Sequence, residues 1–194
     1  PAGYVGAIRA AQLGMKTVCI EKRKALGGTC LNVGCIPSKA LLDSSEHFLH
    51  AKTKLSKHGV HLDNLSVDVP KMIQRKDKIV SQLTGGIAHL FKKNKVDHVH
   101  GTATLGNLAG EAKSISVATE GGTSQINAKR ILIATGSEPI ELPFLPFDGK
   151  RILSSTEALD LQSVPQHLVV IGGGYIGLEM SSVWLRLGAK VSVI

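Results

Sequence analysis

Leu168-Val-Val-Ile171 runs directly into Gly172-Gly-Gly-Tyr-Ile-Gly177, and Leu178-Glu-Met-Ser-Ser-Val-Trp-Leu-Arg-Leu187 follows before Gly188. The short apolar, β-branched run reads as a buried strand. The stretch after Gly177 has helical character and a glycine stop at Gly188. G-x-G-x-x-G between a strand and a helix is the context in which that motif has a mechanism. Gly172 permits the tight turn, Gly174 lets the backbone approach a pyrophosphate, and Gly177 lets helix and strand pack closely. Tyr175 and Ile176 complete the turn, and Glu179 lies on the first turns of the helix. The free N–H groups and partial positive charge of the helix N-terminus suit phosphates.

The pattern recurs. Gly3-Tyr-Val-Gly-Ala-Ile-Arg-Ala-Ala-Gln-Leu-Gly14, then Met15-Lys-Thr-Val-Cys-Ile-Glu21, matches Gly177 to Ile194 at a fixed offset of 174 residues. Each copy reads as helix, glycine stop and short strand, the back half of a βαβ dinucleotide unit. Gly3 takes the place of Gly177, and Glu21 ends the strand where an acid can bind a ribose hydroxyl. In the second copy the equivalent of Glu21 would be the position after Ile194. An acid there would favour NAD and a basic neighbour NADP. Two units imply two dinucleotides, commonly a flavin and a nicotinamide.

Cys30 and Cys35 stand in Gly27-Gly-Thr-Cys-Leu-Asn-Val-Gly-Cys-Ile-Pro-Ser-Lys39. In a straight helix, residues five apart have Cα atoms roughly 8.6 Å apart. A disulfide needs about 4.4–6.8 Å. The pair can bond only if the backbone between them leaves ideal helix, and Asn32 and Gly34 are suited to that. So small a loop constrains the unfolded chain little, which argues for redox use. A zinc site recruiting His47 or His50 and two unrelated buried thiols remain open on spacing alone. After Cys35 the chain reads as helical, with Lys39 one turn on, where its charge favours a nearby thiolate or an anionic reduced flavin.

The segment from Gly27 to Lys39 resembles the active-site signature of the flavoprotein pyridine-nucleotide disulfide oxidoreductases. Leu31, Ile36 and Ser38 most resemble its dihydrolipoamide dehydrogenase branch. Leu83-Thr-Gly-Gly-Ile-Ala-His-Leu-Phe91, Ile133-Ala-Thr-Gly-Ser137 and Ser154-Ser-Thr-Glu-Ala-Leu159 extend the likeness along the chain. The resemblance implies FAD and NAD as cofactors and oxidation of protein-bound dihydrolipoamide. Cys30 would be the thiol exchanging with substrate, and Cys35 the thiol beside the flavin. Lys39 would lie near the flavin's reacting nitrogen, ion-paired with Glu179. Glu21 would hold the FAD ribose, and Gly28 and Thr29 would line pyrophosphate and flavin. Gly101 would sit by the adenine, and Thr135, Gly136 and Ser137 would close over FAD. Gly172, Gly174, Tyr175, Ile176, Gly177 and Glu179 would form the nicotinamide-cofactor turn. The implied partners are a lipoyl-bearing acyltransferase of a 2-oxo acid dehydrogenase complex and a second copy in a homodimer. Mercuric and glutathione reductases are the rival members of the family, and a non-catalytic nucleotide-binding fragment is the rival outside it.

The expected fold is α/β, with two Rossmann-like dinucleotide-binding domains. Residues 1–147 would form most of the FAD domain and 148–194 the start of an NAD domain. Helices are expected at 3–13, 35–55 and 70–93, and strands at 16–21 and near 97–105, 113–118 and 126–134. Pro139, Pro143 and Pro146 mark a crossover. Pro1 falls inside a helical pattern and Ile194 inside a strand pattern, so both ends are expected to be cuts and residues 1–194 alone to be inactive. Bacterial cytoplasm and mitochondrial matrix both suit such a chain.

Composition adds limits. No apolar run reaches the roughly 18 residues that cross a bilayer. The net charge of +8 is concentrated, with ten Lys and Arg against three Asp between residues 50 and 95. A solvated basic helix face accounts for that better than nucleic-acid binding, because two Tyr, one Trp and four Phe are few for stacking on bases. Cys19 reads as a small buried hydrophobe. The eight histidines have no metal or triad partner at a convincing spacing, and no metal site is expected.

Overall fold

A computed structural model describes residues 1–194. By packing, the chain divides into two units, 1–32 with 82–137 and 33–81 with 138–194. These units cut across the division expected at residue 147.

The first unit opens with helix α1 (Ala2–Gln12) and strand β1 (Val18–Glu21). Between them Gly14 takes φ +82°, the left-handed conformation that ends helices and that glycine adopts without a Cβ penalty. Helix α2 (Gly28–Val33) follows. Helix α4 (Val69–Asn94) supplies its C-terminal half to this unit, with Ile87 and Phe91 buried. Strand β2 (Asp97–His100) pairs with β1 in parallel, Val18 opposite Asp97 and Glu21 opposite His100. A parallel pair needs a crossover connection, here everything from α2 to α4.

Strands β3 (Thr102–Leu105), β4 (Lys113–Thr119) and β5 (Gly122–Ala128) form an antiparallel meander. The single strand expected near 97–105 is two, divided at Gly101. A Cβ at Gly101 would stand 2.5 Å from the Ala118 carbonyl oxygen, so only glycine lets the chain pass β4 there. The strand expected at 126–134 lies instead at 122–128. The hairpin closing Thr119 on Gly122 sets its register, and residues 131–137 join no sheet. The buried apolar residues of this unit include Leu26, Leu31, Phe91, Val96, Ile115 and Val117.

The second unit holds α3 (Cys35–Thr53), the N-terminal half of α4, the short α5 (Ser155–Ala158), β6 (His167–Val170), α6 (Tyr175–Arg186) and β7 (Lys190–Val193). Strands β6 and β7 are parallel, joined by α6 in a βαβ unit as the glycine pattern requires. Its core gathers Leu41 from α3, Met72 and Ile73 from α4, Met180, Val183 and Trp184 from α6, Leu187 at the C-cap of α6, and Leu159. Trp184 is fully buried and donates its indole N–H to the Ala158 carbonyl at 3.3 Å.

Two arginines hold α3 in place. Arg75 of α4 reaches the Ala40 carbonyl at 3.1 Å and the Asp43 carboxylate at 2.7 Å. Arg186 of α6 reaches the Leu42 carbonyl at 3.3 Å and Glu46 at 2.9 Å. Lys76 is almost wholly buried, its charge answered by Asp77 at 2.8 Å and Asp160 at 3.1 Å. No helix is long and apolar enough to cross a membrane.

Candidate functional site

The glycine turn of the second unit has the geometry its spacing demands. Gly172 takes φ +101°. Its N–H donates to the Ile194 carbonyl at 2.8 Å, joining the turn to the end of β7. A Cβ at Gly177 would meet the Gly172 carbonyl oxygen at 2.7 Å and Val170 Cγ1 at 2.8 Å, so α6 passes β6 and the turn at a distance only glycine allows. Gly174 is the N-cap of α6 and supplies no side-chain cap, so the N–H groups of Tyr175, Ile176 and Gly177 keep their capacity to donate. A Cβ at Gly174 would meet no protein atom within 4 Å. A polarised, open helix start of this kind accepts a pyrophosphate.

In the first unit, Glu21 ends β1. Its carbonyl accepts the Gly101 N–H at 3.0 Å and its carboxylate accepts the Arg23 N–H at 2.9 Å. Gly3 packs α1 onto the 131–137 segment, since a Cβ there would lie 3.5 Å from Ala134 Cβ. Gly28, at φ +65°, starts α2 beside Pro1, the N-cap of α1. Thr29 Oγ1 donates to the Ser137 carbonyl at 3.1 Å. A Cβ at Gly136, which takes φ +79°, would lie 3.4 Å from that hydroxyl. Gly3, Gly28, Thr29, Gly136 and Ser137 therefore gather around the starts of α1 and α2. Thr135 lies on the same segment, and Glu21 and Gly101 lie together at the ends of β1 and β2. Two adjacent helix starts and an acid at a strand end fit an adenine dinucleotide.

Cys30 lies within α2 and Cys35 is the first residue of α3. The helix breaks between them at Gly34, with φ −138° and ψ −116°. Gly34 is one of the two residues expected to leave ideal helix. Asn32 takes no part in the break. It stays helical and its amide donates to the Gly28 carbonyl at 2.9 Å. Cys35 is exposed and Cys30 partly so. Cys19 is half-buried, and burial, then the nearby Glu21 charge, push its thiol up from the ordinary value.

Lys39, one turn into α3, forms an ion pair with Glu179 of α6, the partner implied by the resemblance. Lys39 Nζ donates to one carboxylate oxygen, and Ser38 Oγ donates to the other. Burial pushes the Glu179 carboxyl up. The hydrogen bonds from Lys39 and Ser38 and the lysine charge outweigh that and hold it below the ordinary range. The part played by Ser38 is not legible from the motif, and its only signal was a small polar residue next to Lys39 in a first helical turn. No group of three or more His, Cys, Asp or Glu side chains is placed to hold a metal ion.

The family described as pyridine nucleotide-disulphide oxidoreductase matches residues 1–194. Over its full length the chain is 56% identical to a mitochondrial dihydrolipoyl dehydrogenase of Pisum sativum, of which it spans 38%. It is 55% identical, again over its full length, to a leghemoglobin reductase of Vigna unguiculata, spanning 36% of that protein. Among solved structures, LpdA from Mycobacterium tuberculosis superposes with a TM-score of 0.91 at 27% identity, covering all of this chain and 42% of that one. The chain thus spans about two fifths of the length of these relatives.

Proposed function

Because the chain belongs to the pyridine nucleotide-disulphide oxidoreductase family, we propose that it forms the disulfide-bearing part of a dihydrolipoyl dehydrogenase. Residues 1–147 would belong to its FAD-binding domain and 148–194 would begin its NAD-binding domain. The observation that carries this reading is the pairing of Lys39 with Glu179. It fastens α3, which begins at Cys35, to α6, which begins at the glycine turn.

In the proposed reaction Cys30 and Cys35 start as a disulfide. A thiolate of protein-bound dihydrolipoamide attacks the Cys30 sulfur, the Cys30–Cys35 bond breaks, and Cys35 leaves as a thiolate. The second substrate thiolate then attacks the lipoyl sulfur bonded to Cys30. The lipoamide disulfide closes and Cys30 is released. Substrate has lost two electrons and the cysteine pair has gained them. Bound FAD would supply an acceptor for that electron pair, and bound NAD would supply a hydride acceptor.

The remaining work belongs to the chain. Glu21 would hold the ribose of FAD, with Gly101 beside the adenine. Gly3, Gly28, Thr29, Thr135, Gly136 and Ser137 would line its pyrophosphate and flavin portions. Gly172, Gly174, Tyr175, Ile176 and Gly177 would present their backbone to the nicotinamide dinucleotide. Lys39, held by Glu179, would keep positive charge beside the redox centre. The lipoyl-bearing acyltransferase of a 2-oxo acid dehydrogenase complex is the proposed partner, and a homodimer the proposed assembly. The mitochondrial matrix is the proposed compartment in a eukaryote and the cytoplasm in a bacterium.

Assay of the full-length enzyme with dihydrolipoamide and NAD, with glutathione disulfide and with mercuric ion tests the assignment. Turnover of dihydrolipoamide should exceed that of the other two by orders of magnitude. Preference for glutathione disulfide or mercuric ion would replace the assignment with another member of the family.

A further inference from the structure

We propose that Ser38 is a positioning residue that fixes the Glu179 carboxylate and, through it, the ammonium of Lys39. Its consequence for the redox centre rests on the reading of Lys39 given above. Neighbouring residues on a helix point about 100° apart. Ser38 and Lys39 nevertheless meet the same group, because Glu179 spans them with one oxygen each. The two donors differ in what they fix. Lys39 carries a compact charge on a long flexible stem, and its side chain is 58% exposed. A carboxylate held by it alone stays free to turn about its broad terminal torsion. Ser38 has one rotatable bond, is only 5% exposed, and lies in a first turn closed by its own N–H on the Gly34 carbonyl at 3.1 Å. Holding the second oxygen from such a site sets the plane of the carboxylate, and with it the place at which the first oxygen receives the ammonium. At that buried position solvent does not readily replace the hydroxyl.

The experiment compares Ser38→Ala, Ser38→Cys and Ser38→Thr with Lys39→Ala. One measurement is the titration midpoint of Glu179 by carboxyl-carbon NMR in the flavin-free protein, assigned by loss of its signal in Glu179→Gln. The other is the flavin midpoint potential in the loaded full-length enzyme. Ser38→Ala and Ser38→Cys should raise the Glu179 midpoint towards that of an ordinary glutamate, and Ser38→Thr, which keeps the hydroxyl, should restore it. The flavin potential should shift in Ser38→Ala in the same direction as in Lys39→Ala, and return in Ser38→Thr. A Glu179 midpoint unmoved by Ser38→Ala and Ser38→Cys, with Lys39→Ala raising it, would overturn the proposal. A potential unmoved by Lys39→Ala would instead refute the reading of Lys39, leaving the Glu179 midpoint to decide for or against Ser38.

Discussion

Replacing Gly177 by alanine isolates the contact on which the glycine turn depends. The new methyl would stand 2.7 Å from the Gly172 carbonyl oxygen and 2.8 Å from Val170 Cγ1. Weak C–H···O contacts settle at about 3.3–3.6 Å, so the helix, the turn or both must move. One of the two obstacles is backbone and has no rotamer to change. Overpacking of this kind costs about 1–3 kcal/mol. Alanine's better helix propensity returns about 0.5–1 kcal/mol, leaving a net loss of about 0–2.5 kcal/mol, and about 1 kcal/mol at the middle of both ranges. At about 2–4 °C per kcal/mol for a chain of this length, that mid-range loss lowers Tm by about 2–4 °C. Gly86→Ala is the control. It lies inside α4, where a Cβ would meet nothing within 4 Å, so the same chemical change should raise stability by about 0.5–1 kcal/mol. Thermal unfolding followed by circular dichroism reads both variants. The single tryptophan, Trp184, lies fully buried in the unit that holds Gly177 and reports on that unit separately. If Gly177→Ala matched or exceeded the parent, or moved Tm as Gly86→Ala does, the close approach of α6 to its turn would be wrong.

Two further outcomes are expected. Leu41→Ala, at a fully buried position between α3 and α6, should cost about 2–5 kcal/mol in urea unfolding, and a loss under about 1 kcal/mol would mean that the α3–α6 core is looser than described. The depressed Glu179 carboxyl contributes stability that is fully present above its ordinary value of 4.5 and is lost as pH falls through the lower folded value; Lys39→Met should flatten that acid limb in urea midpoints measured from about pH 6 to about pH 3, and an unchanged limb would remove the ion pair from the account.

Where the sequence carried a local physical rule, the fold was legible in it. Gly172, Gly177 and the strand before them announced the βαβ unit. The 174-residue offset tied α1 to α6, and the structure repeats the match in backbone detail, since both helices are followed by a glycine at positive φ, Gly14 and Gly188. Helices α3 and α4 are long enough for their start signals and apolar spacing to show. Other features depend on contacts far along the chain. The six residues of α2 are too few to display a helical period. The register of β5 is set by the Glu120-Gly121 turn and by pairing with β4, whereas Ile131 to Ile133 looked more strand-like than Thr123 to Gln125. The need for glycine at position 101 comes from the Ala118 carbonyl of the neighbouring strand, far along the chain. At the site, the resemblance implies the Lys39–Glu179 partnership, but the hydroxyl of Ser38 on the same carboxylate comes from the packing of α3 against α6, which no motif spells out. The packing units were illegible for a similar reason: α3 belongs with α6 through Leu41, Trp184 and Arg186, which no local pattern joins.

In the proposed reaction Cys30 and Cys35 exchange electrons between a dithiol substrate and a flavin beside Cys35. Titrating the oxidised, flavin-loaded full-length enzyme with dihydrolipoamide tests it most directly. A long-wavelength absorbance band, from a Cys35 thiolate against the flavin, should rise on partial reduction, and Cys35→Ser should abolish it. A band of unchanged intensity in Cys35→Ser would contradict the assignment.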